Sequence, residues 1–436
     1  MEIQSLYSLY LEHPVITTDS RDCPQGSLFF ALKGDNFDGN QFAAKALEQG
    51  CAKVIVDNPD VIPSNDQRYV LVDNVLKSLQ DMAHWHRTQF HGPIIQVTGT
   101  NGKTTTKELL RAVLSRKYNV LATEGNFNNH IGVPKTLLRL KPFIHQMAII
   151  ETGANHPGEI AQLANIVDPD CGLITNVGRA HLEGFGSFEG VIRTKGELYE
   201  YLRKKQQGFI FLDADNQHLS SIAQELPACR YGKPGQEGLL VEGEATSAAP
   251  FLSLRWKKST SNQWHHTDTH LIGNYNLQNV MAAICAGVRF GVREEDINEA
   301  IAEYTPKNNR SELRITQHNH LIVDAYNANP SSMNAALDNF HLIKAPHKMV
   351  ILGDMRELGA DSQQEHSHIV SRLQQWTDCE EIWLVGEEFA HTHSAFRCFK
   401  TVDEVKQELA DHPVSNRLIL IKGSNGTRLY QLPDLL

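Results

Sequence analysis

The sequence is poor in several things, and each shortage excludes something. Its 7 cysteines (Cys23, Cys51, Cys171, Cys229, Cys285, Cys379 and Cys398) are scattered, odd in number and without a Cys-x-x-Cys pair. That argues against a disulfide framework or a cysteine zinc site and fits reduced thiols in a cytoplasm. No stretch approaches the about 18 uninterrupted apolar residues of a membrane span, so no membrane insertion is expected. The start, Met1-Glu2-Ile3-Gln4, has no basic region leading into an apolar core, so no signal peptide is read. Positive charge is in deficit: 41 Lys and Arg stand against 51 Asp and Glu, a net charge of −10. Broad nucleic-acid or anionic-membrane binding normally needs the opposite balance. Internal repeats and low-complexity tracts are also missing.

What is present is an ordinary globular composition, 41% hydrophobic and 21% charged over 436 residues, long enough for roughly three domains. Residues 1–91 hold short apolar runs, Ser27–Leu32, Ala52–Asp57 and Tyr69–Val72, around a helical stretch Phe42–Gln49, and close with His84-Trp85-His86-Arg87. From Gly92 to Pro306, apolar strands at Ile94–Thr98, Met147–Glu151, Gly172–Val177 and Gly208–Leu212 alternate with helical patterns. That is the pattern of a mostly parallel sheet covered on both faces. After Gly273, residues Leu277, Val280, Met281, Ile284 and Val288 recur at helical spacing and predict one buried stripe. Segment 232–266 reads as a surface β excursion. Thr305-Pro306-Lys307-Asn308-Asn309 reads as a hinge. Beyond it, strands at His320–Asp324, Lys348–Gly353, Glu381–Gly386 and Arg417–Lys422 define a second, smaller α/β domain, 310–436.

The strongest motif is strand Ile94–Thr98 running into Gly99-Thr100-Asn101-Gly102-Lys103-Thr104-Thr105, with Leu109, Leu110, Val113 and Leu114 in the helix that follows. Backbone N–H groups at such a loop and helix start converge on phosphate oxygens. Lys103 would reach the β- and γ-phosphates and the Thr104 hydroxyl a magnesium ion. The general pattern has four residues between its glycines; here two separate Gly99 from Gly102. Nucleotide binding is the prediction. A P-loop GTP switch would carry a guanine-reading Asn-Lys-x-Asp, which is missing.

Other residues carry two readings each. Glu151 ends a buried strand, where sheets of this class place ligands, and magnesium prefers oxygen donors; an N-cap or solvated strand end is the plainer reading. His181 follows another strand and is read alone as a hydrogen-bonding histidine, since imidazole is an uncommon magnesium ligand. Lys195 passes as an exposed lysine by composition. Asn276 reads as a helix N-cap, and Asp324, opening an Asn- and Pro-rich loop, as a turn device.

The shortened loop, Thr98-Gly99-Thr100-Asn101-Gly102-Lys103-Thr104-Thr105, resembles that of the Mur ligase family, the ATP-dependent amide-bond-forming enzymes of peptidoglycan assembly, with folylpolyglutamate synthase as a relative. The resemblance covers nearly the whole chain in order. It implies three domains: a small N-terminal α/β domain for the UDP-muramoyl-peptide (1–91), a central P-loop parallel-sheet ATPase domain (92–309), and a C-terminal Rossmann-like α/β domain (310–436) that takes the incoming amine and closes on ATP. Gly99 to Thr105 would hold ATP, with catalysis by Lys103, Lys195, His181 and Glu151. Thr104, Glu151, His181 and Lys195 would serve two magnesium sites, Lys195 as a carbamate. Carbamylation needs a neutral amine, hence a lysine pKa depressed by burial.

By the same resemblance, Gly273-x-Tyr275-Asn276-x-x-Asn279 puts Asn276 and Asn279 at the adenine. Arg310 reaches ATP, although Asn309 stands where glycine is usual, and Asp324 binds ribose. Tyr326-Asn327-Ala328-Asn329-Pro330 and Leu352-Gly353-Asp354-Met355-Arg356-Glu357-Leu358-Gly359 resemble the branch that adds D-alanyl-D-alanine, with Asn327, Asn329 and Asp354 near the amine. The Asp-Asn-Pro-Arg of the diaminopimelate-adding branch is missing from this domain. Lys422-Gly423-Ser424 also resembles the family, but the arginine that often follows directly comes later, at Arg428. Thr18-Asp19-Ser20-Arg21 and the Leu32–Asn40 segment resemble the UDP-muramoyl-binding portion, with Ser20, Arg21 and Lys33 as donors to an anionic sugar nucleotide. The implied activity is ligation of D-alanyl-D-alanine to UDP-N-acetylmuramoyl-tripeptide by a cytoplasmic monomer, in cell-wall synthesis and so in cell shape and division. Another Mur-type or folylpolyglutamate-type ligase is the alternative.

Overall fold

The computed structural model describes residues 2–307 and 309–436; Met1 and the hinge residue Asn308 lie outside the described residues. The chain divides into two units, Met1–Gln96 with Tyr118–Gly153 and Ala161–Asp170, and Val97–Lys117 with Ala154–Ile160 and Cys171–Leu436.

In the first unit, strands Ile16–Thr17, Leu28–Phe30, Lys53–Val56 and Tyr69–Leu71 pair in that order, all parallel. Side chains alternate across the pleat: Leu28, Phe30 and Ile55 enter one core, Phe29, Val54 and Val56 another. Helix Val75–Thr88 starts at Asn74, whose Oδ1 accepts the Lys77 N–H at 2.8 Å. It buries Val75, Leu79 and Met82 in the first core, which also takes Leu121, Leu137, Ala148 and Ile150. The aromatic and histidine-rich end of this helix is a staple. Buried His86 lies 2.8 Å from both the Tyr7 hydroxyl and the Leu140 carbonyl oxygen, and burial lowers its pKa. Arg87 donates to the Asp170 carboxylate at 2.9 Å and the Val167 carbonyl at 3.1 Å.

In the second unit, strands Cys171–Ile174, Phe209–Asp213, Ala228–Gly232 and Val241–Ser247 pair in parallel, and Phe251–Lys258 and His265–Ile272 extend the row antiparallel. The expected surface excursion is therefore sheet with an inward face: Leu252, Leu254 and Trp256 are fully buried. The helix after Gly273 differs from its expected single stripe. Leu277–Arg289 buries every residue from Asn279 to Gly287, while Val288 is only half-buried. It is wedged among several neighbours, so burial runs around it.

The second sheet orders its strands Glu312–Ile315, His320–Asp324, Leu418–Lys422, Lys348–Gly353, Glu381–Val385 and Arg397–Phe399. All pair in parallel except the antiparallel first edge. One face packs Ile322, Val350, Leu352 and Leu384 under Met333 and Phe340; the other packs Leu321, Val323, Ile351 and Ile421 under Val405 and Leu409. Helices on both faces and loops at the carboxyl ends of parallel strands make the usual ligand-binding edge.

Candidate functional site

Gly99 and Gly102 shape the loop by what they lack. Their φ values, 139° and 79°, lie where only glycine is comfortable. A Cβ at Gly99 would collide with the Thr175 hydroxyl, and one at Gly102 would come within 2.6 Å of Asn279 Oδ1. The loop is clamped by the strand end beside it. Thr100 N–H donates to the Asn176 carbonyl and Asn101 N–H to Asn176 Oδ1, both at 3.0 Å; the Thr175 hydroxyl donates to the Asn101 carbonyl at 2.6 Å. Two of the N–H groups expected to face phosphate are therefore spent on Asn176, because loop rigidity needs them. Helix Lys103–Leu114 starts without a side-chain cap, at the end where the helix dipole is positive and anions are favoured. Lys103 curls back, its Nζ donating to the carbonyls of Gly99 at 2.7 Å and Thr100 at 3.1 Å. Thr104 is buried and Thr105 half-buried.

Lys195 departs most from its composition. It sits inside helix Phe188–Arg203 at 2% exposure, its Nζ 3.4 Å from the Ala154 carbonyl and 5.0 Å from the centre of the Phe185 ring. Burial first, and the positive charge of Lys103 second, hold its pKa at about 7; Glu159 and Glu197 oppose them. The His181 ring meets the same Phe185 edge-on at 6.0 Å. Lys103, Lys195 and His181 are thus brought into one neighbourhood. His181 has a left-handed backbone, φ 52°, and its Nδ1 pairs with Glu357, itself at φ 63°. That contact lowers the Glu357 pKa. Two strained residues facing each other is a common mark of a working site.

Glu151 belongs to the first unit. It is 1% exposed and accepts a 2.8 Å hydrogen bond from Asn128 Nδ2, so the solvated strand end is corrected to a buried carboxylate. The N-cap reading of Asn276 is also corrected. Its side chain makes no cap bond; it donates to the Ile272 carbonyl and accepts from Asn279 Nδ2, both at 2.8 Å. Asn279 Oδ1 accepts from Thr106 at 3.0 Å, which ties this pair to the phosphate-loop helix.

Asp324 is held by buried Lys422 at 2.6 Å, and Lys422 also donates to the Asn327 carbonyl. Arg310 stacks its guanidinium 3.9 Å from the Tyr326 ring centre. Asn329 caps helix Pro330–Leu342 and donates to Asn101 Oδ1 at 2.8 Å, joining the second sheet to the phosphate loop. Asp354 is occupied: its carboxylate accepts the Glu388 and Phe389 N–H groups at 3.1 and 3.0 Å, and burial raises its pKa. It fixes a neighbouring loop.

Of the N-terminal donors, Ser20 is half-buried. Arg21 is engaged bidentately by Asp19 at 2.9 and 2.7 Å, and Lys33 pairs with Asp57 at 2.9 Å. Sequence reasoning left Asn176, Phe185, Glu357 and Lys422 out of the site. Glu357 and Lys422 stood inside motifs that resemble the family, and Asn176 stands two residues after strand Cys171–Ile174; Phe185 had no signal.

A glycine phosphate loop feeding a helix, a buried neutral-leaning lysine and a second sheet docked on the loop define a nucleotide-handling α/β enzyme. Residues 14–87 match the Mur ligase family, catalytic domain; residues 97–287 the Mur ligase middle domain; and residues 309–425 the Mur ligase, glutamate ligase domain. The UDP-N-acetylmuramoyl-tripeptide–D-alanyl-D-alanine ligase of Bacillus subtilis is 35% identical over 347 residues, 79% of this chain and 74% of that one. Its Escherichia coli counterpart is 34% identical over 361 residues, 81% and 77% of the two chains. A crystal structure of MurF from Acinetobacter baumannii has a TM-score of 0.84 at 31% identity, with 96% and 92% of the chains covered. The chain belongs to the Mur ligase family.

Proposed function

We propose that this Mur ligase joins D-alanyl-D-alanine to UDP-N-acetylmuramoyl-tripeptide at the expense of ATP. The observation that carries the reading is the clamped phosphate loop with Lys103 and buried Lys195 beside it, on a chain 35% identical to a ligase of that activity. The tripeptide carboxylate attacks the γ-phosphorus of ATP, giving an acyl phosphate and ADP. The dipeptide amine attacks the acyl carbon, and the C–O bond breaks to release phosphate and a proton. Lys103 and the helix N-terminus offset charge on the phosphates, and the loop holds the reactants in line.

Thr104, His181 and Lys195 are proposed as donors for magnesium, and Glu151, a buried carboxylate of the first unit, is proposed by itself as a metal ligand. The donor chemistry fits: a buried hydroxyl, a buried carboxylate, and a lysine whose amine is neutral enough to take up CO₂ and become an oxygen ligand. Bound magnesium would supply charge neutralisation at the phosphates. Asn276 and Asn279 are proposed to shape the adenine pocket, Arg310 and Asp324 to bind the nucleotide, and Ser20, Arg21 and Lys33 the UDP-substrate. Asn327, Asn329 and Asp354 organise the loops on the amine side. The expected division of labour, UDP-substrate in 1–91, ATP in 92–309 and amine in 310–436, goes with this reading, as does a monomer in the cytoplasm. Among the described residues no helix is long and apolar enough to cross a membrane.

ADP release assayed with D-alanyl-D-alanine, diaminopimelate, lysine and glutamate tests the proposal. Turnover with the dipeptide alone is expected; turnover with a single amino acid and silence with the dipeptide would refute it.

A further inference from the structure

The 7 cysteines are scattered along the sequence, yet the fold brings two of them together in the first unit. Cys51 is buried in a core cluster with Phe29, Val54 and Val56, and half-buried Cys23 packs against that cluster. The segments that carry them are joined by backbone bonds. Gly26 N–H donates to the Gly50 carbonyl at 2.7 Å, and Ala52 N–H to the Ser27 carbonyl at 2.8 Å. Beside these bonds the Cys51 sulfur lies 3.2 Å from the Ser27 hydroxyl, and the Cys23 and Cys51 thiols are hydrogen-bonded to each other. Thiols in contact need only side-chain rotation to reach the bonded separation of about 2 Å. Cys229 and Cys285 are arranged differently: there the Cys285 thiol donates to the Cys229 carbonyl at 3.6 Å. The ligase chemistry above uses neither Cys23 nor Cys51.

The turn beside the pair gives it a consequence. Asp22 N–H closes the turn on the Asp19 carbonyl at 3.2 Å, and the Thr17 hydroxyl donates to the Asp22 carbonyl at 2.8 Å. Ser20 and Arg21, proposed above to bind the UDP-substrate, stand at its tip. The Cys23 thiol donates to the Asp19 carbonyl at 3.8 Å, so the sulfur that touches Cys51 also supports the turn. Oxidation removes the S–H proton and with it that donor. Burial first, then the Cys51 thiol, with Asp22 and Asp19 acting the same way, push the Cys23 thiol up. Its thiolate is scarce at neutral pH, and the resting form is the dithiol.

We propose that Cys23 and Cys51 form a redox switch on the UDP-substrate loop, closed to a disulfide by hydrogen peroxide and reopened by a dithiol. The Cys23 thiolate attacks a peroxide oxygen and the O–O bond breaks, giving a sulfenic acid and hydroxide. The Cys51 sulfur then attacks the Cys23 sulfur, the S–O bond breaks, and water leaves with the Cys51 proton. Two thiols and one hydrogen peroxide become one disulfide and two waters. The effect on substrate binding rests on the ligase reading; formation of the bond does not.

The test uses the full chain carrying Cys398→Ser, which removes the exposed thiol and should leave turnover unchanged. Protein treated with hydrogen peroxide is alkylated, digested and analysed by mass spectrometry, and its ADP release is assayed. A peptide linking Cys23 to Cys51 is expected, forming about tenfold faster for each pH unit between about 7 and 8.5. With it the KM for the UDP-substrate should rise about tenfold, as for one lost charge-assisted contact, while the KM for ATP stays the same. Dithiothreitol should reverse both changes. Cys23→Ser, which keeps a donor for the Asp19 carbonyl, and Cys51→Ala should each hold the reduced KM after peroxide. Absence of the linked peptide, a linked peptide with unchanged KM, or the same rise in both variants overturns the switch and leaves the ligase reading intact. Reduced enzyme that releases no ADP removes the ligase reading and the loop effect with it, while the linked peptide still decides the disulfide.

Discussion

The phosphate loop is made of the consecutive residues Gly99 to Thr105; the cavity of about 790 Å³ at the carboxyl ends of strands Lys348–Gly353 and Glu381–Val385 is lined from loops near residues 183, 356, 400 and 428. The first is built from backbone, fixed by two glycines and by Asn176, with the Lys103 side chain folded back onto its carbonyls. The second is lined by side chains from loops far apart in the chain, as where a Cβ at Gly426 would come within 2.7 Å of Arg356 Nε. Backbone sites tolerate little local change and keep one chemistry; side-chain sites can change specificity one residue at a time. The difference predicts that damage to the loop abolishes turnover with every substrate, whereas damage to the cavity alters which amine is used.

The largest effect follows from Lys103→Ala. Losing a preorganised charge at the phosphates should cut kcat by about 10²–10³ or more with unchanged melting, and no change of amine should relieve it. A variant with near-normal kcat would break the comparison.

Lys195→Ala comes next, with a loss of comparable order if the carbamate serves as a ligand. A short carboxylic acid added to the assay should restore part of the rate; full activity without it contradicts the role. The same lysine has a stability signature. Its amine titrates at about 7 in the fold against an ordinary 10.5 when unfolded, so the unfolded chain binds more protons between those values. Stability from this group is fully present above 10.5 and lost as the pH falls through 7. Urea unfolding of Lys195→Met against wild type should show the wild type gaining roughly 1 kcal/mol per pH unit more between about pH 7.5 and 9. Parallel curves would refute the burial.

The smallest effect belongs to the contact joining the two regions. Asn329→Ala removes the cap of helix Pro330–Leu342 and the 2.8 Å bond to Asn101. It should cost about 1 kcal/mol in denaturant unfolding and raise the KM for ATP and dipeptide together. A change in only one KM would show that the loops work independently.

The same contrast explains what could be read from the chain. Ile94–Thr98, Met147–Glu151, His320–Asp324 and Lys348–Gly353 stand in the fold at the bounds expected from their apolar runs, because strands buried on both faces are uninterruptedly apolar. The phosphate loop was legible because its residues are contiguous. The short strands Ile16–Thr17 and Arg397–Phe399 have too few residues to show a period. Burial of Lys195 comes from helix packing that no local pattern encodes. The Glu357–His181 pair and the Arg356–Gly426 approach arise only when distant loops meet.

The central claim, that one enzyme activates the tripeptide carboxylate and hands it to the dipeptide, is tested most directly by oxygen-18. UDP-N-acetylmuramoyl-tripeptide labelled in the reacting carboxylate is incubated with ATP, magnesium and D-alanyl-D-alanine, and the inorganic phosphate is analysed by mass spectrometry. The account predicts one labelled oxygen per phosphate released, appearing together with the ligated product. Unlabelled phosphate accompanying product would contradict the acyl-phosphate route and with it the roles given to Lys103 and Lys195.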